Sequence, residues 1–154
     1  PAYVLRLSLV GSERCIRDGG GGGALGHGGH EDQNTPLLVE ALQDVRVLVA
    51  AGEYHSLALS EGNVYSFGSS EYDQLGHGDT ADQLTPLMIA GLQGVRVSSV
   101  AAGAYTSLAG TTDGEAYGWG VGVDDDGIPP LVLGLELTEH QLVPLKYLEL
   151  RLHA

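Results

Sequence analysis

The chain has 154 residues and a formal net charge of −13, with 7 Lys and Arg against 20 Asp and Glu, and 43% of its residues are hydrophobic. This length suits one globular domain with a real core. Nucleic acids and anionic lipids are bound through clustered Lys and Arg, and a membrane span needs roughly 18 apolar residues in a row, so the sequence argues against nucleic-acid and membrane binding.

Residues 1–23 differ from the rest of the chain and end in a glycine run at 19–23. Such a run is typical of a loose connector, and we interpret this segment as the degenerate remnant of a repeat. It has neither an initiating Met nor a signal peptide, and the lone Cys15 cannot form a disulfide within the chain. We therefore expect an intracellular protein, in the cytoplasm or the nucleus, and a sequence cut from a longer one.

From residue 24 onward the sequence repeats itself. The motif Leu-Gly-His-Gly at 25–28 returns at 75–78, and the motif Val-Ala-Ala-Gly at 49–52 returns at 100–103. A degraded third copy is traceable in Val-Pro-Leu at 143–145. Because a fixed period marks stacked supersecondary units, we divide the chain into parts that each hold one copy or part of one. These parts are the remnant at 1–23, repeats at 24–74 and 75–126, and a partial repeat at 127–154.

Short β-branched or aromatic segments between turn residues predict strands at 45–51, 56–59 and 64–67. The turn triplets Glu-Gly-Asn at 61–63 and Asp-Gly-Glu at 113–115 predict β-hairpins, because Gly and Asn tolerate a left-handed backbone. The segment 37–43 could form a helical turn or two on its periodicity, or continue as extended chain.

The order of these motifs, with Thr-Pro between the first two and Tyr-Ser-Phe-Gly at 65–68 after them, resembles the regulator-of-chromosome-condensation (RCC1) repeat family. The ankyrin and WD40 periods are shorter than this one. The resemblance implies an all-β fold, a seven-bladed β-propeller of four-stranded blades, of which this chain holds about three blades incompletely. Open blade edges would allow self-association.

Two clusters have the residue types of metal sites, but neither predicts one. His27 and His30 have ligand-like spacing, yet His27 belongs to the repeat because His77 matches it. The acids at 124–126 lack the spacing of a calcium loop, and the glycines at 19–29 lack the strand-then-helix setting of a nucleotide site. The sequence also offers no nucleophile motif. We therefore expect no metal, no cofactor and no catalytic residue.

The turns that follow Val-Ala-Ala-Gly are the candidate binding positions. By the resemblance, the residues after that Gly lie on the ring face that the family uses for partners. Tyr54 and Tyr105 are equivalent there and should sit side by side, although each could instead pack over its own blade. Trp119 matches Phe67 within a strand and is expected in the core, which argues against the photoreception of ultraviolet-B receptors of this fold. The candidate partner-binding residues are Glu53, Tyr54, His55, Asp73, Asp82 and Tyr105.

The sequence is compatible with three functions. The first is a protein-interaction module, a piece of a larger propeller, whose acidic character favours a basic protein surface. The second is a guanine-nucleotide exchange factor for a Ran-like GTPase, as the resemblance implies. The third is a regulatory propeller of a multidomain ubiquitin ligase or kinase. We expect the first, and no enzyme activity within these residues.

Overall fold

The computed structural model describes residues 21–120 and 141–146, and within these ranges the regular structure is strands and single 3-10 turns. The strands form two four-stranded antiparallel sheets, in the orders β1-β2-β3-β4 and β5-β6-β7-β8. The all-β prediction is confirmed, and no helix in the described ranges is long and apolar enough to cross a bilayer. The strands are β1 Leu48–Ala51, β2 His55–Ser60, β3 Asn63–Gly68, β4 Gln83–Met88, β5 Val97–Ala102, β6 Thr106–Thr111, β7 Ala116–Gly120 and β8 Gln141–Lys146.

Both predicted hairpins are present. Ser60 faces Asn63 across the β2–β3 turn, where Glu61 and Gly62 both have positive φ, of 51° and 84°. Two successive residues with positive φ match the right-handed twist of the flanking strands. In the β6–β7 hairpin, Gly114 likewise has a φ of 82°.

The segment left open at 37–43 forms a single 3-10 turn, Glu40–Leu42, and the second repeat has the equivalent turn Ala90–Leu92. Each turn ends at once, because the following glutamine is extended. Each turn also buries its last leucine beneath the blade. Packing of one side chain, rather than helical periodicity, therefore decides the conformation here.

The sheets do not coincide with the sequence repeats. Strand β4 belongs to the repeat at 75–126 but pairs with β3 of the repeat before it. Likewise β8, which carries the degraded Val-Pro-Leu motif, pairs with β7 and completes the second sheet. The described residues therefore hold two complete blades, and the copy that sequence analysis assigned to a third blade supplies the last strand of the second.

The core runs between the blades, because β1 and β2 of the first blade contact β5 of the second. Its buried residues come from both sheets, and Trp119 among them is fully buried, as expected. Burying a Leu or Ile side chain contributes about 1.5–3 kcal/mol, so this shared cluster stabilises the docking of the two blades. The cluster consists of Leu57, Leu59, Val64, Ile89, Leu92, Val97, Ala109 and Trp119.

Candidate functional site

The antiparallel order places the connections between strands at two ends of the sheets. The loops 52–54, 69–82 and 103–105 meet at one end, which we call the tyrosine end. The turns 61–62 and 112–115 lie at the opposite end, which we call the hairpin end. Because both blades are oriented alike, each end is a continuous surface across the seam between them.

Three tyrosine rings form a cluster at the tyrosine end. The rings of Tyr54 and Tyr105 are stacked, with centroids 5.7 Å apart and planes 11° apart, which confirms that they lie side by side. The ring of Tyr72 lies against Tyr105 at 4.4 Å, tilted by 50°. Tyr54 and Tyr72 are 38% and 36% exposed, while Tyr105 between them is half-buried. The rings therefore pack against one another, across the two blades, and still reach solvent.

The backbone holds Tyr54 and Tyr105 in equivalent turns. Gly52 N donates to His55 O at 2.8 Å, and Gly103 N donates to Thr106 O at 2.7 Å, so each turn is closed in the same way. In the first blade, Ser69 N also donates to Tyr54 O at 2.9 Å. The repeat therefore fixes both tyrosines at matching heights on adjacent blades, and the rings meet.

The loop 69–82 is braced by its own hydrogen bonds. Ser70 N donates to Asp82 Oδ1 at 2.8 Å, and Tyr72 N donates to Gln74 Oε1 at 2.8 Å. Asp82 is exposed, so it lies on the surface as expected, but one of its oxygens holds the loop in shape. Asp73 is only 2% exposed, so its side chain is not accessible to a partner, and this corrects its assignment to the partner surface. Its backbone N–H donates to Ser70 O and closes a tight turn.

His55 is also buried, at 1% exposure, and this corrects its assignment to the partner surface. Its Nε2 lies 2.8 Å from Ser107 Oγ of the second blade. Ser107 donates its one proton to Gln74 O at 2.7 Å, so its oxygen accepts from His55 Nε2. Burial lowers the pKa of His55 to about 4, so the ring is neutral at physiological pH. His55 follows Tyr54 and is the first residue of strand β2. The side chain of His55 therefore points into the seam, where it links the two blades.

Both ends carry acids, but they differ in the cations that accompany them. Glu53, Glu71, Asp79 and Asp82 are exposed at the tyrosine end, and the loops that form this end contain no Lys or Arg. Where the structure describes the chain, the cations are Arg46, Arg96 and Lys146, all at the hairpin end. Among the described residues, acidic side chains on loops that have no Lys or Arg of their own give the tyrosine end a negative potential.

The repeated histidines have structural surroundings. His77 Nε2 lies 2.8 Å from Ser66 Oγ, whose proton goes to Leu75 O at 2.7 Å. Burial lowers the pKa of His77, against the opposing effect of Asp79. The equivalent His27 has a buried Nε2 with no partner among the described residues. No group of three His, Cys, Asp or Glu in the ranges 21–120 and 141–146 could hold a metal ion, and the acids at 124–126 lie outside those ranges.

Sequence reasoning missed Tyr72, the third ring of the cluster. Its only signal was a difference between equivalent positions, since Glu-Tyr-Asp-Gln at 71–74 stands one period after Gly-Gly-Gly-Ala at 21–24. Periodicity directs attention to positions that agree, and a residue that occurs in one repeat only is therefore overlooked. The spatial neighbourhood of Tyr72 and Tyr105 depends on blade docking, which a linear pattern does not contain.

Comparison with protein-family models gives one family. The model for the regulator of chromosome condensation (RCC1) repeat matches residues 19–59 and 61–109. A second model of the same description matches residues 47–74 and 97–126. These matches cover strands β1 to β7 and the loops of the tyrosine end.

Curated proteins with similar sequences include a plant receptor and a human ligase. The chain is 47% identical over 122 residues to the ultraviolet-B receptor UVR8 of Arabidopsis thaliana, covering 78% of this chain and 28% of the receptor. It is 46% identical over 136 residues to the E3 ubiquitin-protein ligase HERC2 of Homo sapiens, covering 79% of this chain and 3% of the ligase. The chain therefore spans under a third of the receptor and a small fraction of the ligase.

Two solved structures are also similar to this chain, and both are longer than it. Human WBSCR16 matches with a TM-score of 0.62 at 27% identity, over 82% of this chain and 32% of that one. Prp20p from Saccharomyces cerevisiae matches with a TM-score of 0.64 at 27% identity, over 79% of this chain and 30% of that one. In each case the two blades superpose on about a third of a longer chain.

Proposed function

The chain belongs to the RCC1 repeat family, and from that premise we propose that it is a protein-interaction module, a section of a larger propeller, whose tyrosine end binds a basic protein surface. The observation that carries this proposal is the distribution of the cations. The loops of the tyrosine end carry exposed carboxylates and no Lys or Arg. The cations of the described residues, Arg46, Arg96 and Lys146, lie at the hairpin end together with acids such as Glu61 and Asp113. Complementary potentials steer partners and fix their orientation.

The tyrosine cluster adds apolar contact area, which charge attraction alone does not provide. Tyrosine is enriched among the residues that dominate binding energy, because its ring buries a large area with few rotatable bonds. Here three rings lie together on the acidic loops, and two of them are more than one third exposed. A partner that covers them would desolvate apolar rings on loops that also carry exposed carboxylates, and interfaces commonly combine an apolar core with a polar rim.

The structural relatives support a protein partner. Binding properties to Gsp1p and histones are described for Prp20p, and yeast RCC1 has been crystallised with Kap60 bound. We propose that this chain likewise binds a protein, inside the cell, and that the binding is its activity in place of catalysis. The single cysteine of the chain agrees with a reducing compartment.

A binding titration tests the proposal. The probe is a fluorescently labelled lysine-rich peptide, and matched neutral and acidic peptides report non-specific binding. The double variant Glu53→Gln with Glu71→Gln should weaken binding about three- to tenfold, because two attractive charges are removed. The control variant Glu61→Gln with Asp113→Asn removes two exposed charges at the hairpin end and should leave binding unchanged.

Two further measurements complete this test. The double variant Tyr54→Ala with Tyr105→Ala should weaken binding without loss of the β-sheet circular dichroism signal, and added salt should weaken it through screening. If binding is insensitive to the tyrosine and carboxylate variants and to salt, the tyrosine end is not the interface and the acids only keep the surface soluble.

A second candidate is a regulatory propeller within a multidomain ubiquitin ligase or kinase, and the 46% identity to HERC2 favours the ligase. The chemistry would then lie in another part of that protein. Exchange of guanine nucleotide on a Ran-like GTPase is the third candidate, and the likeness to Prp20p supports it. Release of a fluorescent nucleotide from the GTPase on addition of the chain tests exchange, and the sequence of the neighbouring domains tests the ligase.

A further inference from the structure

The tyrosine cluster has a shape that suits a planar cation. Tyr105 is enclosed between two neighbours, with Tyr54 stacked on it and Tyr72 tilted against it. The two outer rings are each more than one third exposed, so they offer ring surface to a partner. In this role as a binding surface, we call the tyrosine cluster of Tyr54, Tyr72 and Tyr105 the tyrosine platform.

The repeat pattern does not always supply the third ring. Gly22, in the segment 1–23, stands one period before Tyr72 of the repeat at 24–74, and it lies buried against Ser69. A blade can therefore be built at this position without an aromatic ring. Since Tyr72 is exposed in part and the repeat does not require it, burial in a core does not explain its presence.

The platform is held in place before any partner binds. Tyr72 N donates to Gln74 Oε1, and Ser70 N donates to Asp82 Oδ1, both at 2.8 Å. Ser70 Oγ also donates to Asp79 O at 3.2 Å. A loop braced in this way loses little conformational entropy on binding, which raises the affinity available from each contact.

The electrostatic surroundings favour a positive ligand. Glu53 precedes Tyr54 and Glu71 precedes Tyr72, so an exposed carboxylate adjoins each outer ring in sequence. The face of a tyrosine ring is itself electron-rich and attracts cations. A carboxylate and a ring face together are complementary to one side chain above others, since guanidinium stacks flat on a ring and forms paired hydrogen bonds with a carboxylate.

We infer that the tyrosine platform binds the guanidinium group of an arginine presented by the partner, an inference that rests on the proposed function. The guanidinium lies over an outer ring, and the adjoining Glu53 or Glu71 accepts its hydrogen bonds. Lysine is a poorer occupant, because its ammonium is a compact, strongly hydrated charge that neither stacks nor binds a carboxylate through two parallel bonds.

Three peptides of equal length separate this inference from simple charge attraction. The first alternates glycine with arginine, the second replaces every arginine with lysine, and the third replaces it with citrulline, which has the shape of arginine without its charge. The full chain should bind the arginine peptide about fivefold more tightly than the lysine peptide, and the citrulline peptide least. Equal affinities for the arginine and lysine peptides would overturn the inference.

Variants of the platform assign the preference to its rings. Tyr72→Leu should weaken binding of the arginine peptide much more than that of the lysine peptide and so bring the ratio of the two affinities close to one, whereas Tyr72→Phe should keep the ratio. Tyr54→Leu gives a second measurement should the Tyr72→Leu variant fail to fold. A ratio that survives both leucine substitutions would contradict the inference.

The outcomes distinguish the two proposals. If the peptides bind equally and the glutamine variants of Glu53 and Glu71 weaken both, the acidic interaction face stands and the arginine site fails. If neither basic peptide binds, the interaction face and the arginine site fail together.

Discussion

In the first blade, Phe67 lies against Gly26, and Ser56 Oγ donates to Ala24 O at 2.9 Å. In the second blade, Trp119 lies against Gly76, and Ser107 Oγ donates to Gln74 O at 2.7 Å. The same two contacts therefore fix the Leu-Gly-His-Gly loop onto each blade. An aromatic ring packs against a glycine of the loop, and a serine hydroxyl donates a hydrogen bond to a backbone carbonyl that precedes the loop. These shared contacts are the ones that the fold needs.

The blades differ at positions that meet in the seam. His55 of the first blade reaches Ser107 of the second, while its equivalent Thr106 is half-buried at the start of its own strand. Trp119 adds a hydrogen bond from Nε1 to Gln74 O at 2.9 Å that Phe67 lacks. Tyr72 replaces Gly22. Differences between repeats thus collect where one blade joins the next, and they build both the link between blades and the candidate binding platform.

The glycine under the aromatic ring is where we expect the largest effect. Gly76 has a φ of 76°, and a Cβ there would lie 2.7 Å from Trp119 Nε1. Gly76→Ala should cost about 1 kcal/mol for the left-handed backbone and about 1–3 kcal/mol more for overpacking. Gly114→Ala is the matched control, because Gly114 has a φ of 82° with open space around it. Urea unfolding measures both, and equal losses would show that the ring contact is not tight.

Protonation of His55 should weaken the link between the blades. Its pKa is about 4 in the folded chain because of burial, below the ordinary 6.5 expected after unfolding. The folded state is therefore fully stabilised above pH 6.5 and loses stability as the pH falls from 6.5 to 4, by about 3 kcal/mol in all. Urea unfolding across this range should show a smaller decline in His55→Gln than in the wild type.

A control for the His55 experiment is His30→Gln, which changes an exposed histidine. Carboxylates also titrate in this range, so the measured quantity is the difference in slope between each variant and the wild type. A His55→Gln curve that runs parallel to the wild type would contradict the buried, neutral ring.

Exchanging the aromatic residues of the two blades tests how equivalent they are. Trp119→Phe gives the second blade the residue of the first, so the ring should still fill its place beneath Gly76. The loss of the bond to Gln74 O and of ring area should cost about 1–2 kcal/mol in urea unfolding. Tyr117→Phe is a control on the same strand that removes only a long hydrogen bond of 3.4 Å to Glu115. A neutral Trp119→Phe would mean that the indole N–H does not hold the loop.

The smallest effect is expected at the outer edge of the second blade. Lys146 Nζ lies 2.6 Å from Glu115 Oε1 at a partly exposed position, and this lysine lowers the pKa of the Glu115 carboxyl. Lys146→Gln should reduce stability slightly in low salt and not measurably in high salt, because solvent and ions screen surface pairs. A loss that persists in high salt, seen as a lower melting temperature, would show that β8 depends on the pair.

The sequence predicts much of the blade but less of the site. The hairpins at 61–63 and 113–115 follow from turn residues whose backbone preference is local, so they can be predicted without a fold. Tyr54 and Tyr105 are predicted as neighbours because equivalent positions in adjacent repeats lie at the same height. The sequence assigns His55 to the surface because it follows Tyr54, and Asp73 because it lies in a turn next to the Leu-Gly-His-Gly motif. Burial, however, is set by side-chain direction and by the neighbouring blade, which no linear pattern contains.

The sequence by itself determines the repeat, the strand-and-turn order of each blade and the family, since each depends on residues close along the chain. Only the tertiary structure decides that the fourth strand of a blade comes from the next repeat, and that His55 points into the seam. It alone brings Tyr72 onto Tyr105, from different blades. The physical reason is that these features arise from docking between sheets, where burial of a shared core selects one arrangement among many that the same local pattern allows.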